Sequence, residues 1–295
     1  MTVTVPDSPE MLVQAARDAA RRGSLREADE LAATAAGRVE QGTREAAQLA
    51  NIRGGIAFEL GELDRAEGWF KQAMSLAGER DDPVLAAKAT TNLGSIAHLR
   101  GKVVLAGSLY QSALEVYLRE NDQVGVARSE HNLGVVEREL GDLERAADHA
   151  ERAMTAARRT DDYSLIALTL LGSAETAVKR GEPDLARRML AAARAVANLA
   201  EDALSLTEAA RLEALLSYVS GRYGAALRGA AGAYQAAIRL KAPYLAGECA
   251  FLAAQTCRRL GRKRVAERCQ SRAEALFRTV GALAALRRIE LGLGA

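Results

Sequence analysis

The sequence predicts an all-α fold, a solenoid of seven helix-turn-helix copies sealed by one further helix. Three observations predict it. Glycines stand at 23, 61, 101, 141, 181, 221 and 261, spaced by 38 and then by 40 residues. A fixed period of this size is the mark of a repeat array. Small residues recur around each glycine in three columns. Ala28, Ala66, Ala106, Ala146, Ala186, Ala226 and Ala266 follow it by five, and Ala35, Ala73, Ala113, Ala153, Ala193, Ala233 and Ala273 by a further seven. Ala16, Gly54, Gly94, Gly134, Ala174, Ala214 and Ala254 precede it by seven. Finally, hydrophobic residues make up 49% of the chain but aromatic ones only 4%, so the interior is Ala, Leu and Val. Such an interior suits close-packed helices better than a sandwich or barrel.

Along the chain, residues 1–7 read as a short tail, 8–280 as the array and 281–295 as a capping helix with its end. Each copy has two apolar-periodic stretches long enough for helices, separated by the turn glycine. The glycine ends the first helix, where a left-handed residue is wanted. The small columns mark helix crossings, because axes about 8–10 Å apart leave no room for Leu. Between copies, "ERDDP", "RENDQ", "RTDDY" and "LAEDA" place Asp82, Asp122, Asp162 and Asp202 one period apart. Asp at these places caps the next helix by accepting from its orphan amides. Pro9, Pro83 and Pro243 suit a first helical turn, where a missing N–H costs nothing. In "GALAALRRIELGLGA", Leu283, Leu286 and Ile289 share one face, so a fifteenth helix is expected to cover the end of the array.

Several function classes are disfavoured. Charged residues at 26% with a net charge of +2 do not describe a disordered chain. The N-terminal "MTVTVPDSPEM" has neither a basic n-region nor an apolar h-region, so no signal peptide is expected. The apolar run from Tyr163 to Ala174 is too short to span a bilayer; a soluble, cytoplasmic protein with no membrane partner is expected. Cys249 and Cys257 lie two turns apart on one predicted helix, too far for a disulfide. With Cys269 they make an odd count without a nearby His, which argues against zinc and for small buried hydrophobes in a reducing compartment. The acidic loops have the position and period of caps and lack the ligands and central Gly of a calcium loop. "GSIAHLRGKV" fails as a phosphate loop, since Gly94 and Gly101 are too far apart and Val103 replaces the Ser/Thr. His98, His131 and His149 fall in separate helices, without HExxH or a serine nucleophile elbow. A non-enzymatic chain without metal or cofactor is expected.

The copies resemble the tetratricopeptide repeat (TPR). Each has two helices, Gly or Ala in the first, a turn Gly, and paired alanines in the second. Phe70 and Tyr110 stand at the family's aromatic position between those alanines, and Tyr223 in "GRYGAA" at its post-glycine tyrosine. The period of 40 departs from the usual 34. It is similar to the longer variety found in kinesin light chains, polarity adaptors and the sensor arms of large bacterial transcription activators. The resemblance implies a right-handed superhelix whose first helices line a concave groove that grips an extended peptide or another protein.

On that wall one stripe varies sharply from copy to copy. It reads Asn51, Gly55, Phe58, then Thr91, Ser95, His98, then His131, Val135, Arg138, and continues as Leu171, Glu175, Val178, then Arg211, Leu215, Tyr218, then Phe251, Gln255, Arg258. Columns that stay alike do the packing, and columns that vary are free to recognise a ligand. Asn92 and Asn132 recur one period apart in "TNLG" and "HNLG", with Asn51 near the equivalent place. An Asn amide both donates and accepts, so such residues could form a ladder along an extended backbone, as the resembling proteins use them. The alternative is that each Asn bonds within its own solenoid. Lys88, Arg128 and Arg138 would add charge for an acidic segment, and His98 and His131 some pH sensitivity.

From Ala203 onward there are 15 basic and 6 acidic residues, a net of +9 that leaves −7 for the first 202, and "RRLGRKR" (258–264) is the densest cluster. Arg outnumbers Lys 34 to 6, a habit of GC-rich, bacterial-type genomes that enriches basic patches without purpose. No aromatic residue interleaves with the cluster for base stacking. Three functions follow in order: a scaffold that grips a partner segment, a sensor that encloses a small effector or signalling peptide, and a nucleic-acid contact. The first two differ in the groove, open for a scaffold and closed for a sensor. The C-terminal helix is also a candidate face for homo-oligomers.

Overall fold

The computed structural model describes residues 8–21, 24–40 and 42–294, so the tail at 1–7 and the turn glycine Gly23 lie outside the described residues. The chain is a stack of seven helix pairs. The first helices are α1 (Pro9–Arg21), α3 (Arg44–Glu59), α5 (Pro83–Leu99), α7 (Gln123–Leu140), α9 (Tyr163–Lys179), α11 (Ala203–Val219) and α13 (Pro243–Arg259). The second helices are α2 (Leu25–Ala36), α4 (Leu63–Glu79), α6 (Val103–Arg119), α8 (Leu143–Ala157), α10 (Pro183–Leu199), α12 (Tyr223–Arg239) and α14 (Lys263–Thr279). A short α15 (Leu283–Glu290) follows them. The architecture is an all-α solenoid, and none of the described residues is in a strand.

Local chemistry sets the boundaries. Gly61, Gly101, Gly141, Gly181, Gly221 and Gly261 all have φ between 71° and 86°, a region L-residues avoid because Cβ meets the following carbonyl. Asp82, Asp122, Asp162 and Asp202 each accept from the amide three residues on, at 3.0, 3.0, 2.9 and 3.0 Å. Asp142 and Thr43 cap α8 and α3 in the same way. Prolines open α1, α5, α10 and α13. The turn between copies also needs positive φ, taken by Asp81, Asn121, Glu201 and Lys241 at 51–54° and by Gly281 at 64°.

The alanine columns are buried throughout. The glycines among them answer to a particular neighbour. A Cβ on Gly54 would stand 2.5 Å from the Phe70 ring, and one on Gly94 2.6 Å from the Tyr110 ring. The aromatic that fills the second helix therefore requires the missing side chain in the first.

Substantial helix contacts join sequence neighbours or the next helix but one, as a solenoid requires. α15 breaks the pattern: besides packing on α14, it reaches back to α5. Leu99 of α5 packs with Ala282, Ala285 and Ile289, which cluster with Phe251 and Phe277 of copy seven. The turns meet as well, since a Cβ on Gly61 would lie 2.2 Å from the Thr279 carbonyl oxygen. The stack thus curls until its last turn touches copies two and three. This corrects the sequence reading of α15 in two ways. Its buried face is Ala282, Ala285 and Ile289, with Leu286 partly covered and Leu283 54% exposed. That face covers copy seven, as expected, but it also closes on α5 of copy three.

α13 is buried from Leu245 to Cys257, flanked by α11, α12 and α14, and it is correspondingly apolar on most sides. Cys249 and Cys257 are buried, Cys269 is partly so, and all three are free thiols. Among the described residues no helix is long and apolar enough to cross a membrane.

Candidate functional site: a central cavity

Curling converts the concave groove into a cavity of about 710 Å³. Its wall takes residues from α3, α5, α7, α9, α11 and α13 in turn, and is completed by α15 and residues 291–294. Successive first helices present the same face inward, because the 40-residue period returns each column to the same place.

Part of the wall is a chain of four alternating charges. Arg138 Nη2 donates to Glu175 Oε2 at 3.2 Å, and Arg211 Nη2 donates to Glu175 Oε1 at 3.2 Å. Arg211 also donates to both oxygens of Glu208, from Nε at 2.9 Å and from Nη2 at 2.6 Å. The Arg211 residue is 5% exposed. Burial pushes the Glu175 carboxyl up, but Arg211 and then Arg138 outweigh it and hold it well below the usual carboxylate range. Arg138 further donates to Thr176 Oγ1 at 3.2 Å. A second pair, Glu248 with Arg288 of α15, continues the alternation, and His98 Nε2 lies 2.9 Å from Glu139. Four carboxylates, Glu139, Glu175, Glu208 and Glu248, and five Lys or Arg side chains line the cavity, so the charged wall is close to neutral.

Against that saturated wall stand His131 and Asn132, adjacent on α7, neither with a hydrogen-bond partner among the described residues. The His131 ring fits over Gly172, where a Cβ would come within 2.7 Å of Nδ1. Burial first, then the neighbouring Arg138, lowers its pKa to about 4, so the ring is neutral near pH 7. Tyr110 reaches the cavity from α6 and donates to Ser95 Oγ at 3.3 Å, with burial pushing its phenol up to about 12. Apolar side chains complete the lining, among them Phe58, Leu168, Leu171 and Leu245.

The structure brings Phe58, Ser95, His98, His131, Asn132, Val135, Arg138, Leu171, Glu175 and Arg211 together at the cavity. The other candidates stand elsewhere. Asn92 Nδ2 donates to Asn51 Oδ1 at 3.0 Å, so this pair bridges two first helices within the solenoid. Lys88 and Arg128 are exposed and outside the lining. Val178, Leu215 and Phe251 are core residues. Tyr218 packs on Tyr223, Gln255 is buried and donates to the Leu293 carbonyl, and Arg258 is exposed and donates to Gln270. Glu208, Tyr244, Glu248, Arg287 and Arg288 line the cavity without having been singled out. For two of them a signal existed. The column Lys88, Arg128, Leu168, Glu208, Glu248 runs from basic to acidic at the same period.

A family profile of the tetratricopeptide repeat matches residues 85–159, and the helix pairs around that segment repeat its geometry across the stack. That segment matches the tetratricopeptide repeat, and the whole stack has a TPR-like fold. Among solved structures it is similar to the Rap conjugation gene regulator of plasmid pLS20 in complex with the Phr* peptide, at 14% identity and a TM-score of 0.77, over 96% of this chain and 76% of that one. It is also similar to the apo form of RapI, at 15% identity and a TM-score of 0.73, over 92% and 98% of the two chains. A third is aspartyl phosphate phosphatase F from Bacillus subtilis, at 13% identity and a TM-score of 0.60, over 96% and 97%. At these identities the likeness is one of fold. Comparison with curated protein sequences gives no match.

Proposed function

We propose that the chain is a non-catalytic regulatory binding module that encloses a short peptide in its central cavity. The observation that carries this reading is the closure of the groove by α15. A scaffold that grips a long partner segment needs a channel open along its length, whereas a sensor needs a pocket. The volume of about 710 Å³ falls within the roughly 300–1,000 Å³ usual for ligand pockets. The lining suits a peptide, with apolar side chains for apolar residues, alternating charges for polar ones, and the unpartnered Asn132 amide for a backbone N–H and C=O. The fold-level likeness to the pLS20 regulator, whose structure holds a peptide, supports the same reading. The histidines do not suggest catalysis. His98 is held by Glu139, His149 by Glu130, and His131 has Arg138 as its nearest influence after burial.

A thermal-shift screen with pooled synthetic peptides of five to seven residues tests it. A hit present at a hundred times its Kd stabilises the folded chain by about 2.7 kcal/mol, and Asn132→Trp, which fills the cavity, should abolish the shift. Hits that survive Asn132→Trp, or affinity found only for long segments, would overturn the enclosed-peptide reading.

A further inference from the structure

We infer that the junction of α15 with the turns of copies two and three is a gate, opening to admit a ligand to the cavity and closing behind it. The inference rests on the reading that the cavity holds a ligand, and it adds the route of entry. Elsewhere the ring is continuous along the chain, the second helix of each pair packed on the first helix of the next. At the junction alone do segments distant in sequence meet to complete the ring among the described residues.

The two sides of α15 are held differently. Toward copy seven the contacts are polar as well as apolar. Arg288 pairs with Glu248, its guanidinium lies 5.2 Å from the Phe251 ring centroid, and Gln255 donates to the Leu293 carbonyl at 3.3 Å. Toward copies two and three no hydrogen bond or ion pair crosses among the described residues. Gly61 meets the Thr279 carbonyl, Leu63 meets Gly281, and a Cβ on Gly101 would lie 3.8 Å from that of Ala284. Parting α15 from α13 would strand a buried ion pair, which is expensive. Parting it from α5 leaves no polar group unpaired. The ring therefore opens on the α5 side, with α15 travelling with copy seven. Solenoid curvature is the sum of small rotations between copies, so a slight relaxation at each interface is enough to separate the ends.

The turn glycines supply the test. Gly61 and Gly101 touch the junction, whereas Gly141 has open space around it and the same positive φ. Gly61→Ala and Gly141→Ala thus carry the same backbone strain, but only the first drives a Cβ into Thr279. Small-angle scattering should show a larger radius of gyration for Gly61→Ala than for Gly141→Ala. Identical curves overturn the junction, whatever binds in the cavity.

The gate itself is tested by locking. In a Cys269→Ser background, Gly101→Cys with Ala284→Cys places the two Cβ atoms at the 3.8 Å separation of a disulfide. The probe is 8-anilinonaphthalene-1-sulfonate, an apolar dye with one anionic group, and Asn132→Trp should remove its fluorescence gain. Oxidation should slow dye association at least tenfold, and dithiothreitol should restore it. Equal rates in the two redox states, or a disulfide that fails to form, overturn the gate and leave the cavity reading intact. Absent dye binding, or binding that survives Asn132→Trp, overturns both the dye's use of the cavity and its passage through the gate.

Discussion

Gly94→Ala probes the packing rule on which the array rests. Gly94 sits inside α5, where Ala is the better helix former by roughly 1 kcal/mol. Propensity alone predicts stabilisation. The new Cβ, however, would stand 2.6 Å from Cε1 and 2.9 Å from Cδ1 of Tyr110, well inside the ordinary carbon contact of about 3.5–4.0 Å. Tyr110 is held in place. It is buried between Ala106 and Ala113, and its hydroxyl is bonded to Ser95. Overpacking costs about 1–3 kcal/mol, and a displaced ring loses a hydrogen bond of about 1 kcal/mol. Subtracting the propensity gain leaves a destabilisation of about 1–3 kcal/mol.

Gly55→Ala is the control, an interior position of α3 with nothing within 4 Å of the added Cβ. It should stabilise by about 0.5–1 kcal/mol, so the two substitutions are expected to have opposite signs. Urea unfolding followed by far-ultraviolet circular dichroism measures both. Hydrogen exchange places the damage, which should concentrate in copies two to four because repeats couple to their neighbours. Adding Tyr110→Leu should relieve part of the Gly94→Ala defect. If Gly94→Ala stabilises the protein as Gly55→Ala does, α5 and α6 do not approach as described and the reasoning is refuted.

Three further outcomes are expected. Glu175→Gln removes the carboxylate shared by Arg138 and Arg211 and should destabilise by on the order of 3 kcal/mol, read as a lower urea midpoint; an unchanged midpoint would mean the charge chain is not formed. His131 has a folded pKa of about 4 against roughly 6.5 unfolded, so the unfolded chain binds the extra proton as pH falls. Stability should be fully present above about pH 6.5 and decline toward pH 4, by at most about 1.4 kcal/mol per pH unit from this group; His131→Gln should flatten that segment, and an unaltered pH profile would show that the ring is not desolvated. Finally, Asn92→Ala should cost about 1 kcal/mol of stability without altering the affinity of a peptide hit, while Asn132→Ala should do the reverse; swapped results would restore the ladder centred on Asn92.

The sequence by itself determined the number of copies, the turns, the caps and the small columns. Each of these is a local or nearest-neighbour requirement. A left-handed turn asks for Gly at 141 whatever happens elsewhere, Asp122 caps the helix that starts beside it, and Ala146 faces its own partner helix. Repetition makes such requirements legible, because seven copies state each of them independently. Part of the cavity lining was legible for the same reason, since Arg138, Glu175 and Arg211 fall in the variable stripe of successive first helices, each about one turn earlier than the last.

The ring was decided only in three dimensions. Its closure depends on curvature accumulated over six interfaces, and no single copy encodes that sum. Gly61 and Gly141 look alike in sequence, yet one meets Thr279 and the other meets nothing. Arg287 and Arg288 enter the site because α15 comes back to α5, a contact more than 180 residues apart in the chain. The fate of each asparagine was likewise tertiary: Asn92 finds Asn51 across the helix interface, while Asn132, one period on, has Thr91 in the corresponding place and lines the cavity.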